Sequence, residues 1–213
     1  MKKIIALVLL LLLVCASLLS CKPKTPPVEP GRNGKENEKM DISALELTEY
    51  VALGDYKTMK VSYNPEKISK GDAAWQKLIE ISKIIKYPND QVAFYFYQKQ
   101  AGYQYMAKAG GQTYEELLAS LGVTEEMMLE ESKKLTAEDI VFYALVKAER
   151  IELTQADKDA NFDKYVALFV SEGYTEAYVR ENLREQIYET MLYDKTLELL
   201  ISFTEFTEIG GEE

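Results

Sequence analysis

The 213-residue chain contains no histidine and only two cysteines, Cys15 and Cys21. Without histidine it lacks the commonest general base and the commonest neutral metal ligand, which excludes a Ser-His-Asp hydrolase, a zinc site and His-dependent phosphotransfer. Cys15 goes with the N-terminal leader, which leaves one cysteine, Cys21, too few for a disulfide within the rest of the chain. Neither a GxxxxGK[ST] nor a GxGxxG run occurs, so no phosphate cradle is legible and no cofactor is expected. Positive charge is also in short supply. The whole chain has 25 Lys and Arg against 35 Asp and Glu, and without Lys2 and Lys3 the balance is 23 against 35, a net charge of −12. Such a surface repels nucleic acid and anionic lipid alike, so neither is expected as a direct partner.

What is present begins with a leader. Lys2 and Lys3 precede an unbroken apolar run, Ile4 to Val14, too short for a comfortable membrane span. Leu18-Leu19-Ser20-Cys21 follows and resembles the bacterial lipobox. The resemblance implies that residues 1–20 are a signal peptide and that Cys21, diacylated with palmitate-type chains, becomes the first mature residue. The protein would then be lipid-anchored on the extracytoplasmic side of a bacterial cell membrane. The plainer alternative is a signal peptide with an incidental cysteine. From Lys22 to Lys39 the chain reads KPKTPPVEPGRNGKENEK, with four of its six prolines. Such a stretch cannot bury enough apolar surface to order itself, so residues 21–44 are expected to be a disordered tether. Its basic residues are interrupted by Glu and Pro, which weakens any reading as a lipid-binding patch.

The expected folded part, residues 45–206, is all-α. Thr124 to Ile151 has no Gly or Pro and reads as one long helix, capped by Thr124, with Glu125 and Glu126 in its first turn. Ile140, Val141, Ala144, Leu145, Ala148 and Ile151 give it an apolar stripe that requires partner helices. Asp72 is placed as the cap of a helix through Trp75, Leu78, Ile79 and Ile81. Pro88 to Ala109 forms the next, ended by Gly110-Gly111. Thr113 with Glu116 forms a capping box for a short helix stopping at Gly122. Thr154 with Asp157 opens another, closed by Gly173, and Thr175 opens a last one running to about Phe203. Tyr50 to Val61 reads as one short extended segment; one strand makes no sheet, so it must lie along helices or pair with another chain. Residues 207–213 form an acidic tail.

The order of these pieces resembles the C-terminal chaperone domain of trigger factors. YVALGDYKTMKV resembles the family's LGDYKGLEV. Ala148-Glu149 with Ile151, Leu153-Thr154 and Asp157 resembles its AEKEGIEVTDEE, and Lys195 with Leu199 its KVLDFL. The likeness spans about residues 47 to 206 and implies a trigger-factor-like or SurA-like helical fold with helical arms. No GFRxGxxP-like ribosome-binding loop occurs, and only thirteen residues separate Val61 from Trp75. A prolyl isomerase domain would need on the order of a hundred residues there. The implied protein is therefore a chaperone cradle without ribosome contact and without isomerase, whose partners are unfolded or exported polypeptides.

The aromatic helix gives that implication physical content. Val92, Tyr95, Phe96, Tyr103 and Met106 recur on one face and are expected in the core. Phe94, Tyr97, Ala101 and Tyr105 lie on another, which the residues leave open between core and client surface, since Tyr offers apolar area with a wet edge. Met127 and Met128 are open in the same way, between a promiscuous groove and gap-filling. The paired acids read as helix-start electrostatics, and no two stand in a catalytic arrangement, so no enzyme is expected. Three classes remain: a lipid-anchored holdase, a foldase disfavoured for want of an isomerase domain, and an adaptor lipoprotein binding one fixed partner. Export gives the sharpest test at this stage. Cys21→Ser should release the protein or leave it unprocessed, and mass spectrometry finding unmodified Cys21 in mature membrane fractions would rule the lipid out.

Overall fold

The computed structural model describes residues 39–210; the signal segment, Cys21 and most of the expected tether lie outside the described residues. Among the described residues the chain is mostly helical, in keeping with an all-α class. Its helices are α1 (Lys70–Ile81), α2 (Asn89–Ala109), α3 (Tyr114–Leu121), α4 (Glu125–Ala148), α5 (Gln155–Ser171), α6 (Glu176–Asn182) and α7 (Arg184–Phe203). Four short strands accompany them: β1 (Val51–Ala52), β2 (Lys60–Tyr63), β3 (Lys83–Ile84) and β4 (Glu205–Glu208). The chain divides into two compact units. Among the described residues, the first takes those up to Ala52 with Ile84–Ile140, and the second takes Leu53–Lys83 with those from Val141 to 210.

The helix ends are set by local chemistry. Thr113 and Thr154 each accept a hydrogen bond from the N–H three residues on, and Glu116 and Asp157 reach back to the cap N–H, completing two capping boxes. Gly122 ends α3 in the left-handed region at φ 65°, a conformation that costs a side-chain-bearing residue about 1 kcal/mol. The cap of α1 is Ser69, whose hydroxyl accepts from Asp72 N–H; Asp72, expected as the cap, lies in the first turn, where its charge still suits the exposed N–H groups. Pro88 is the N-cap of α2, one position ahead of its expected place.

In the second unit, Trp75 on α1 meets Tyr193 on α7 edge-on at 5.7 Å and Phe142 on α4 at 6.4 Å. Leu78, Leu145, Val179, Ile187 and Leu200 are fully buried in this unit. The last helix is not continuous as expected but breaks at Leu183, with φ −111° and ψ 14°. No proline or glycine marks the break. Asn182 Nδ2 donates to the Tyr178 carbonyl at 3.1 Å, a side-chain competitor for the helix ladder. Val179, Leu183 and Ile187 are all buried around the break.

The extended segment also differs from expectation, because its partner lies in the chain itself. β2 pairs in parallel with β4, Lys60 opposite Glu205 and Tyr63 opposite Glu208. Ordered structure therefore runs past residue 206 into the stretch read as an acidic tail. Val61 and Tyr63 are buried beneath this pair with Ala73, and Phe206 packs on them. At the other end Ile42 is 1% exposed, so packing reaches into the segment expected as tether. The turn before β2 depends on Gly54: a Cβ there would lie 2.6 Å from the Ile81 carbonyl oxygen and 2.7 Å from Ile81 Cγ1. The obstacle includes backbone, so the turn or the end of α1 must move to admit even a methyl group. Gly54→Ala should therefore lower stability by about 1–3 kcal/mol, read from denaturant midpoints; an unchanged midpoint would refute the close approach.

Candidate functional site

In the first unit α2 and the first half of α4 run antiparallel, and their register is fixed by polar contacts. Gln91 Nε2 and Tyr95 OH both donate to Asp139 Oδ2, at 2.8 and 2.7 Å. Two turns along, Lys99 Nζ meets Glu131 at 2.7 Å. Gln91 is fully buried, and its carbonyl oxygen accepts from Met40 N–H at 3.1 Å, which holds the first described residues against α2. Burial, with the Asp139 carboxylate beside it, pushes the Tyr95 hydroxyl far above the ordinary tyrosine range. Tyr95 thus stays a neutral donor, and the network positions helices rather than transferring protons.

Beyond Lys99, α3 packs on the end of α2. Gly102 and Ala107, small residues, are buried there, as are Leu117 and Leu118 of α3 and Met128 of α4. Tyr114 OH lies 4.0 Å from Met128 Sδ. Met128 is 1% exposed and so is a core residue, unavailable as a client contact; its neighbour Met127 is 49% exposed. Tyr105 is likewise 49% exposed, whereas Phe94 and Tyr97 are half-buried. Phe94 lies edge-on to Tyr95, and Tyr97 edge-on to Phe96, with ring centroids 5.4 and 5.6 Å apart. Met106, placed in the core by its spacing, is exposed. Leu121 and Leu129 are exposed too and were not legible as surface. Both follow the 3.6-residue rule for an inward face, and only the burial of their neighbours shows them displaced from it.

The result is a set of apolar side chains, Tyr105, Met106, Leu121, Met127 and Leu129, at the end of a helical hairpin, where α2 finishes, α3 lies and α4 begins. The charge around them is one-sided. Between Tyr105 and Glu131 the sequence carries Glu115, Glu116, Glu125, Glu126, Glu130 and Glu131 against Lys108, with Lys99 and Lys133 at its margins. Glu130 and Glu131 are paired with Lys133 and Lys99, and Glu116 serves its capping box. Glu115, Glu125 and Glu126 make no salt bridge among the described residues.

The second unit carries two clefts. One, of about 280 Å³, lies between α5 and α7, with Lys158 4.4 Å over the Tyr188 ring and Arg184 5.4 Å over Phe162. The other, of about 520 Å³, lies by Arg150, Ile151, Lys195 and Leu199. Lys195 is held there by Asp157 and the Glu152 carbonyl. The Lys195 bond, followed by those from the Thr154 hydroxyl and Thr154 N–H, holds Asp157 down at about 2. No group of Asp and Glu among the described residues is arranged to hold a metal ion, and no described helix is long and apolar enough to cross a membrane. Comparison with family models, curated proteins and solved structures gives no match to this chain.

Glu138, next to Asp139 in the network, has its carboxyl pushed above the usual 4.5 by burial, with Asp139 adding repulsion and Lys134 opposing it. Its folded-state affinity for a proton exceeds the unfolded one, so folding takes up a proton in that window and stability falls as pH rises through it. Glu138→Gln should flatten this limb and raise the melting temperature at neutral pH. A variant melting below the parent at neutral pH would show that the charge is needed.

Proposed function

We propose that this is a lipid-anchored extracytoplasmic holdase that binds unfolded or exported polypeptides in the manner of a trigger factor C-terminal domain lacking ribosome-binding and isomerase parts. The observation that carries this reading is the hairpin end, where Tyr105, Met106, Leu121 and Met127 project from rigid helices within an acidic surround. Aromatic and thioether side chains offer contact area to many sequences without demanding one shape, and unpaired carboxylates keep a loaded complex soluble. No nucleotide is involved, since the chain has no phosphate-binding run.

Two local features support the family resemblance. Gly54 of the LGDY turn lies against the end of α1 at a distance that admits no side chain. In the register that lays Ile151, Leu153 and Thr154 on the I, V and T of AEKEGIEVTDEE, which takes Ala148-Glu149 off the motif's AE, the motif's glycine falls on Arg150, among the described residues the non-glycine residue with positive φ, 52°. That conformation is the one glycine adopts after a helix, with Ile151 N–H returning to the Val146 carbonyl.

The test uses the full chain in detergent and an unfolded protein that aggregates on dilution, with no nucleotide present. The parent should suppress light scattering, and the triple variant Tyr105→Ser, Leu121→Ser, Met127→Ser should not, while keeping its melting temperature within a few degrees because these side chains are already half-exposed or more. A stable variant that still suppresses aggregation would sink the assigned surface. Crosslinking that captures one partner and no unfolded chains would favour the adaptor reading instead.

A further inference from the structure

The β2–β4 pair ends in an open edge. Glu205 N–H bonds to the Met59 carbonyl and Ile209 N–H to the Tyr63 carbonyl, both at 2.9 Å. In a parallel ladder this turns the odd-numbered residues of β4 inward to β2 and leaves the N–H and C=O groups of Phe206 and Glu208 pointing away from it. Among the described residues no backbone or side-chain group pairs with those N–H groups. The sheet contains just these two strands, fewer than usually stand alone, and parallel pairs are normally buried on both sides. No lysine or proline lies on β4 to protect it.

We propose that the outer edge of β4 is a docking site for an extended polypeptide segment, added as a third strand, with apolar and basic residues alternating. The two faces of the pair dictate that pattern. Val61, Tyr63, Phe206 and Glu208 share the inner face, where Val61 and Tyr63 are buried and the Glu208 carboxylate is taken up by Tyr63 OH, and Lys60, Ser62, Glu205 and Thr207 share the solvated one. A strand laid beside β4 gains by setting an apolar side chain next to Phe206 and a cation next to Glu205. A second copy of the chain is a poorer occupant through the same edge, because β4 reads Glu-Phe-Thr-Glu and brings no cation to set next to Glu205. This site reads backbone where the hairpin end reads side chains, so it extends the polypeptide-binding reading and can fail separately from it.

The experiment follows amide hydrogen exchange in the full chain, in detergent, with and without a short capped peptide of alternating valine and lysine. The amides of Phe206 and Glu208 should exchange freely alone and become protected with peptide. A twin peptide methylated on its backbone nitrogens should bind about tenfold or more weakly, as expected for several lost hydrogen bonds. Glu208→Pro removes an outward donor while leaving the backbone bonds to β2, and should weaken the unmodified peptide well beyond Glu208→Ala, which loses only the side-chain bond from Tyr63 OH; if the proline variant misfolds, the methylated twin decides the matter on the native chain. The triple hairpin-end variant should bind the peptide as the parent does. No binding, equal binding of the methylated twin, or binding without protection at Phe206 and Glu208 would overturn the proposal. Protection already present without peptide would overturn it as well, since the edge would then belong to the chain itself or, if it grew with protein concentration, to a second copy.

Discussion

The uninterrupted backbone ladder of α4 is the constraint on which both units draw. From Glu125 to Ala148 no residue lacks an N–H donor or the stiffness to stay helical, and the helix gives its first part to one unit and its last turns to the other. Ile140, Val141 and Leu145 are completely buried along it. In the first unit α4 also supplies Asp139, the shared acceptor that sets the register of α2, and Glu131, which repeats that register two turns away. The exposed lysine–glutamate pair contributes little energy by itself. The buried amide of Gln91 matters more, since losing its partner leaves a desolvated polar group unpaired at about 1–3 kcal/mol. Register therefore rests on satisfying Gln91, and register decides which side chains end up at the hairpin end.

How much of this could be read from the chain depended on the range of the interaction. Capping is decided within four residues, so Thr113, Thr154, Thr175 and Gly122 are legible and the helices start and stop where those residues place them. Ser69 rather than Asp72 caps α1 because either residue suits an N-terminus, and local sequence cannot choose between two good candidates three positions apart. The break at Leu183 depends on a side-chain bond from Asn182 and on burial on both sides, neither of which interrupts the 3.6-residue pattern. The pairing of β2 with β4 joins residues 145 positions apart, as the Tyr63–Glu208 hydrogen bond shows, and no periodicity carries information over that distance.

The same limit governs the candidate surface. Tyr105 was legible as a residue between core and solvent, and it is half exposed. Met127 and Met128 were indistinguishable in sequence, yet successive helix positions are about 100° apart, so the two point in different directions and need not share one environment. Met128 turns inward in the part of the unit where α3 packs on α2, and the buried positions at that end of α2 are the small residues Gly102 and Ala107. Small residues were the overlooked signal: aromatic residues on α2 mark what could be surface, but its small residues mark what must be covered.

The two surfaces differ in what they demand of a partner. In the proposed holdase, side chains fixed on helices would lose little freedom when a partner arrives, so each contact would be weak but cheap in entropy, and partners of many sequences would be held and released. An open strand edge asks that the partner be extended and locally unpaired, which the paired interior strands and helices of a folded protein do not satisfy. A surface selecting exposed apolar groups and an edge selecting unpaired backbone would each discriminate against native chains, on independent physical grounds. Folding of the partner removes both features at once, so release would follow from the partner's own collapse and would need no energy source built into this chain.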